Sequence, residues 1–364
     1  MMTLVCSLAG ARQASALPTM IRLGYNTCSA CHLSPQGGGL LTPYGKGIDA
    51  AQSLRHGELR AEDERQRRLL YDVRFQMGGS ILTSDAQASP MRSSTFRLTF
   101  RNALLTSAHT RLSYQVGLET PSLGPSRSGA TSANAFLSKA VFEYQPRENL
   151  AFAVGRDALP SGLGLPDPDT YLRKQHDPLG TAYPLQAKAF ISGRRLELTP
   201  YVFGPGLDED RPLRQHGAGA LGGVDVWKHR AILGLSARAS RSDAFDRDAV
   251  GAYARLGFGR WGILAQHDFT SRTTVNSGTT PAGYVTGYTQ LFAAPLEWFV
   301  TSLIVDDVRA TGPGAKHVYR LAPTAQIRIS ENLTFVFSTR DDFLRSVPRR
   351  SRTYSLGIAV KSLQ

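Results

Sequence analysis

His109-Thr110-Arg111-Leu112-Ser113-Tyr114-Gln115-Val116-Gly117-Leu118-Glu119-Thr120 alternates residue by residue. His109, Arg111, Ser113, Gln115, Gly117 and Glu119 share one face. Thr110, Leu112, Tyr114, Val116 and Leu118 share the other. A period of two is that of a β-strand, whose side chains point to opposite faces in turn. One polar and one apolar face predict a strand wetted on one side only.

The pattern spreads outward from this stretch. Phe96, Leu98 and Phe100 oppose Thr95, Arg97, Thr99 and Arg101. Leu233, Leu235, Ala237 and Ala239 oppose Gly234, Ser236, Arg238 and Ser240. Tyr319, Leu321, Ala325, Ile327 and Ile329 oppose Arg320, Thr324, Gln326 and Arg328. About sixteen such segments follow Tyr71. They lie near 71–82, 94–106, 109–120, 134–145, 149–156, 183–192, 194–204, 218–227, 230–241, 249–258, 261–270, 282–293, 296–309, 316–329, 333–340 and 352–363. Most match the length of a tilted membrane-crossing strand.

The connections sharpen the prediction. Short turns follow the even segments, such as Pro146-Arg147-Glu148, Lys228-His229 and Gly259-Arg260. Longer loops follow the odd ones, such as 121–133, 157–182, 205–217, 271–281 and 341–351. Short and long alternating without a break is the habit of outer-membrane barrels, which have tight periplasmic turns and long external loops. The expected fold is all-β: a transmembrane antiparallel up-and-down barrel of about 16 strands, over residues 71–364, with both termini periplasmic. Two features disagree: Pro323 sits mid-strand, where a ladder donor is lost, and the chain ends in Gln364 rather than an aromatic residue.

An arginine face cannot meet lipid. Arg97, Arg101, Arg111, Arg238, Arg255, Arg320, Arg328 and Arg340 are therefore expected in the lumen. Acidic residues group in expected external loops: Asp167, Asp169 and Asp177; Asp208, Glu209 and Asp210; Asp243, Asp246 and Asp248; Asp306 and Asp307; Asp341 and Asp342. Such oxygens attract divalent cations, but solvated loop charge beside Arg211 and Arg247 is the favoured reading. The net charge of +13 comes with no nucleic-acid-binding motif, and the basic residues are spread over alternating segments. Nucleic acid is not an expected partner. No apolar run reaches the length of a transmembrane helix. No Ser-His-Asp spacing or phosphate loop points to a hydrolase or transferase.

Ahead of the strands, residues 1–16 read as a secretory signal with a short apolar core and an Ala14-Ser15-Ala16 cleavage site. Cys28-Ser29-Ala30-Cys31-His32 then forms a C-x-x-C-H. Two thiols at this spacing can each add to a haem vinyl group, and the adjacent imidazole reaches the iron. The motif arises by chance in about one in two thousand chains of this composition. A thioredoxin-like pair lacks its βαβ context, and a structural zinc site lacks further cysteines. One covalent haem c is expected on a segment 17–57. Cys28 and Cys31 would carry it, and His32 would be its proximal ligand. Leu33, Leu40, Leu41 and Tyr44 would pack on it. His56 is a candidate distal ligand, with Met77 and Met20 as alternatives. A segment this short needs cover, so it leans on, or plugs, the barrel. Residues 58–70, rich in Ala, Glu and Arg, suit a solvated helical linker; a disordered tether is the other reading.

A signal, one C-x-x-C-H within the first forty residues and a barrel of about sixteen strands together resemble the fused outer-membrane cytochrome-porins of iron-oxidising bacteria. The specific match is Cys28-Ser29-Ala30-Cys31-His32. The resemblance implies electron transfer from an extracellular reductant such as Fe(II) to a periplasmic cytochrome or other acceptor. The alternative is an anion-preferring porin with a haem-bearing plug, since arginines in a lumen favour anions.

Overall fold

The computed structural model describes residues 18–25, 30–34, 40–54, 69–84, 91–107, 109–119, 134–165, 170–172, 183–206, 214–275, 282–311, 317–330, 332–344 and 350–361. The expected signal, Cys28, His56 and residues 58–68 of the expected linker lie outside them. So do Asp167, Asp169, Asp177, Asp208, Glu209 and Asp210.

Sixteen strands form the wall: β1 (Leu69–Ser84), β2 (Met91–Leu105), β3 (Thr110–Glu119), β4 (Asn134–Arg147), β5 (Leu150–Arg156), β6 (Leu185–Ser192), β7 (Leu196–Gly204), β8 (His216–Asp225), β9 (Ala231–Arg241), β10 (Phe245–Phe258), β11 (Trp261–Thr274), β12 (Ala282–Leu296), β13 (Phe299–Thr311), β14 (His317–Ser330), β15 (Leu333–Leu344) and β16 (Arg350–Lys361). Each pairs antiparallel with its sequence neighbours, and β1 pairs with β16 from Arg74 opposite Lys361 to Ser84 opposite Ser351. Closure leaves no edge of unpaired backbone groups, the condition for a sheet in lipid. Among the described residues no helix is long and apolar enough to cross a membrane.

Alternation places the side chains as expected. On β3, Leu112, Tyr114, Val116 and Leu118 are exposed on the outer wall, while Ser113 is buried inside. Trp227, Phe258 and Trp261 stack outside the short-turn end, with centroids 5.6 and 4.5 Å apart. Aromatic rings of this kind mark a membrane boundary. Pro323 is accommodated by a gap: on the β15 side the ladder breaks between Leu321–Asp341 and Thr324–Ser338 and resumes in the same register. The missing N–H costs one rung, not the strand.

Several expectations are corrected. Barrel pairing starts at Leu69, inside the expected linker. The β9–β10 connection is only Ser242–Ala244, so long loops do not follow every odd strand. Ser242 Oγ accepts from Phe245 N at 3.0 Å and donates to Phe245 O at 2.8 Å, which closes a tight turn and lets β10 begin before residue 249. Asp246 and Asp248, Asp306 and Asp307, and Asp341 and Asp342 lie on strands, not in loops. Among the described residues no group of three or more metal-ligating side chains forms.

The 157–182 stretch is not simply an external loop. Its described residues fold into the barrel, with Leu163, Leu165, Thr170 and Leu172 buried. Helix α1 (Pro43–Ala51) lies within the expected haem segment 17–57. Thr42 caps it by accepting from Gly45 N at 3.0 Å, and Pro43 opens its first turn.

Candidate functional site in the barrel lumen

Two pieces of chain enter the lumen. The first, a lid at the short-turn end, comprises the 3-10 helix Pro18–Leu23, residues 30–34 and α1. Ile21 is buried beside β10 and β11. Gly257 is required there: a Cβ would stand 2.3 Å from Ile21 O and 2.4 Å from Arg22 N. Gly259 N donates to Arg22 O at 3.1 Å. Arg22 donates to Gln52 Oε1 at 3.3 Å, and burial lowers its pKa, with Arg328 adding to the effect. Arg328 on β14 holds the lid twice, through Asp49 Oδ1 of α1 at 2.9 Å and through its carbonyl, which accepts from Leu54 N at 2.9 Å. On β4, Glu143 accepts from Ser34 Oγ at 3.2 Å and pairs with Arg111.

The lid brings Cys31 and His32 together, both buried. Cys31 O accepts from Thr42 N at 2.9 Å, and the helix packs so closely that a Cβ on Gly45 would meet that oxygen at 2.1 Å. His32 bridges Leu41. Cys31 is a free thiol, pushed above its ordinary pKa by burial and by the Asp49 carboxylate. Tyr44 is exposed, its hydroxyl 2.5 Å from that of Tyr25. The Tyr25 phenol is pushed up to about 12, first by that hydrogen bond and then by burial. Met77 points outward from β1 and is removed from the candidate iron ligands. Met20 Sδ instead accepts from Gln52 Nε2 at 3.5 Å.

The second piece is the inward segment after β5. Asp157 roots it, accepting from Lys188 Nζ at 2.7 Å with Lys139 at 3.7 Å. Gly162 lies where a Cβ would meet Gln266 Oε1 at 2.6 Å. Its carbonyl accepts from Arg255 at 2.7 Å, and Leu163 N donates to Gln266 Oε1 at 2.8 Å. Farther on, Tyr171 N donates to Asp306 Oδ2 at 2.8 Å and its hydroxyl to Asp342 Oδ1 at 3.3 Å. The Arg320 guanidinium lies 4.4 Å from the Tyr171 ring centroid. Asp306 and Asp342, taken from sequence for solvated loop charges, therefore anchor this segment.

Ile21 from the lid and Leu163, Leu165 and Leu172 from the inward segment share one apolar cluster with Ile232, Tyr253, Leu264, Tyr288, Phe292, Ile304 and Ala322 of the wall. These wall residues all come from β9–β14. The β1–β3 arc differs. Arg74 and Arg101 each stand 3.7 Å from Asp72 Oδ2, and Arg101 Nε donates to Gln115 at 2.8 Å. Arg97 lies 3.5 Å from Glu119 and over the Phe136 ring. With Arg111, four guanidinium groups face inward here, against the carboxylates Asp72 and Glu119 and, from β4, Glu143, which pairs with Arg111. The lumenal placement of Arg238, Arg255, Arg320, Arg328 and Arg340 also holds.

No protein-family model matches the chain, and no curated protein matches it. Solved structures do. An anion-selective porin from Comamonas acidovorans superposes with a TM-score of 0.61 at 9% identity, covering 81% of this chain and 99% of that one. OprB from Pseudomonas putida gives 0.60 at 8% identity, covering 82% and 95%. The outer membrane channel DcaP of Acinetobacter baumannii gives 0.58 at 8% identity, covering 81% and 97%. The closed 16-strand barrel is thus the fold of outer-membrane porins.

Proposed function

We propose that this chain is a bacterial outer-membrane channel that favours anions, with its N-terminal segment seated as a haem-bearing lid at the periplasmic mouth. The short-turn end is read as periplasmic, because tight turns face that side in outer-membrane barrels; both termini then lie there. The carrying observation is the inward excess of arginine over carboxylate on β1–β3, opposite the wall that the lid and inward segment cover. Fixed positive charge in a narrow passage lowers the barrier for anions and raises it for cations. The anion-selective porin among the structural neighbours supports this reading. Reversal potentials across a planar bilayer under a salt gradient test it: anion preference is expected, and a cation-selective or non-conducting barrel would end it.

A second reading, electron transfer, rests on Cys31 and His32. The donor set fits a c-type haem: a free, buried thiol and a buried imidazole sit side by side in a lid fastened to the wall. Cys31, with Cys28, would hold the porphyrin, and His32 would ligate its iron. When bound, the haem supplies one-electron chemistry. The protein's own part is to hold the site at the mouth, between an external donor such as Fe(II) and a periplasmic acceptor. A peroxidase-stained gel of protein matured with haem-attachment machinery should show a band that Cys31→Ala abolishes. An unstained wild-type band rejects the haem lid, while conductance is scored separately.

A further inference from the structure

Among the described short turns, positive charge gathers on one side. The end of β4 and the turns after β6, β8 and β10 hold Arg147, Arg194, Arg195, Lys228, Arg230 and Arg260, all exposed. Glu148 is the exposed carboxylate among them. Asp225 is buried and spent on its own turn, accepting from Trp227 N at 3.2 Å and His229 N at 2.9 Å. The turns after β2, β12 and β14 hold no Lys or Arg among the described residues. Lipid headgroups surround a barrel evenly and give no reason for such an arc.

The arc runs into the lid, because Gly259, next to Arg260, is hydrogen-bonded to Arg22. On the lid, Leu23, Tyr44 and Leu54 are 45%, 55% and 47% exposed. These apolar side chains belong to the lid, not to the lipid-facing wall. An apolar centre beside a charged rim is the anatomy of a protein-docking face.

We propose that the basic arc and the lid's exposed side chains form one docking face for a soluble protein that presents an acidic patch around an apolar centre. The proposal rests on the periplasmic reading of this end. Opposite charge would steer the partner to the arc and raise the association rate. The lid would then seat it over the segment that bears Cys31 and His32.

Full-length protein in detergent, immobilised, is exposed to an acidic and a basic soluble cytochrome c of similar mass. The acidic probe should bind, with an association rate that falls steeply from low to high salt, and the basic probe should not. Reversing Arg194, Arg195 and Arg230 to Glu should cut the association rate roughly tenfold or more and leave ion conductance as it was. Equal binding of both probes, or no effect of the reversal, overturns the proposal. A reversal that weakens only flotation with phosphatidylglycerol vesicles makes the arc a lipid anchor and also overturns it. Binding that persists in Cys31→Ala keeps the docking face even if the haem reading has failed.

Discussion

The two arcs of the inner wall, β9–β14 and β1–β3, belong to one barrel but obey different rules. Along β9–β14 the inward residues include Ile232, Leu264, Phe292 and Ile304, packed against chain that has entered the lumen. Along β1–β3 they include Arg74, Arg97, Arg101 and Ser113, with no part in that cluster. The wall carries an apolar cluster where chain covers it, among inward charges such as Arg255 and Asp306 that hold that chain, and the β1–β3 arc contributes nothing to that cluster. The difference teaches that six of the sixteen strands share a folded core with the entered chain, while β1–β3 hold their inward charges in ion pairs.

The largest effect should come from cutting that core. Leu264 is 0% exposed and faces Leu163, Leu165 and Ile21 in one cluster. Leu264→Ala loses buried apolar contact and leaves a cavity, costing about 2–5 kcal/mol. Thr99→Ala on β2, equally buried, should cost under ~1.5 kcal/mol, on the scale of one net hydrogen bond. Urea midpoints followed by tryptophan fluorescence in vesicles compare the two. Equal losses would mean that the β9–β14 cluster is not a core.

The root of the inward segment should give an intermediate effect that depends on pH. Burial pushes Asp157 up, but Lys139 and Lys188 together outweigh it and hold the carboxyl below its ordinary value. A folded-state pKa below the unfolded one stabilises above the unfolded carboxylate range, ~4. That stability is lost as pH falls through the lower folded value. The contribution is of the order of a charged hydrogen bond, about 1.5–3 kcal/mol. Acid should therefore loosen the segment and raise single-channel conductance. Asp157→Asn should be looser already at neutral pH and flat through the acid range. A variant that keeps the wild-type acid response would assign that response to another carboxylate.

The same two arcs explain what the sequence could and could not reveal. Period two was sharp on β3, where Arg111, Ser113 and Gln115 oppose Leu112, Tyr114 and Val116, so the strand and its lumenal face were legible. It blurred on β11, where Ile263, Leu264 and Ala265 are apolar on both faces because chain covers the inside. Nothing local marks residues 157–165 and 170–172 as inward. Its signals are the partners Gln266, Asp306 and Asp342, more than a hundred residues away. Cys31 and His32 stood out because C-x-x-C-H is a short, fixed spacing. The fastening of the lid through Asp49 and Arg328, 279 residues apart, was not. The one missed local signal was Thr42-Pro43, a capping residue followed by proline, which announces α1.

The smallest free-energy change should carry the most functional information. Arg74 and Arg101 face inward from paired strands beside Asp72. Replacing both with Glu changes the fixed charge of that arc by four units and leaves the β9–β14 cluster alone. The anion-over-cation permeability ratio should fall several-fold; a fivefold fall corresponds to only about 1 kcal/mol. Arg255→Gln, on the covered arc and bonded to Gly162 O, should leave the ratio unchanged and instead weaken the hold on the inward segment. Reversal potentials of the three proteins under one salt gradient decide the matter. If Arg255→Gln shifts selectivity and the double Glu variant does not, the permeating ions follow the covered side, and the proposed role of the β1–β3 arginines is wrong.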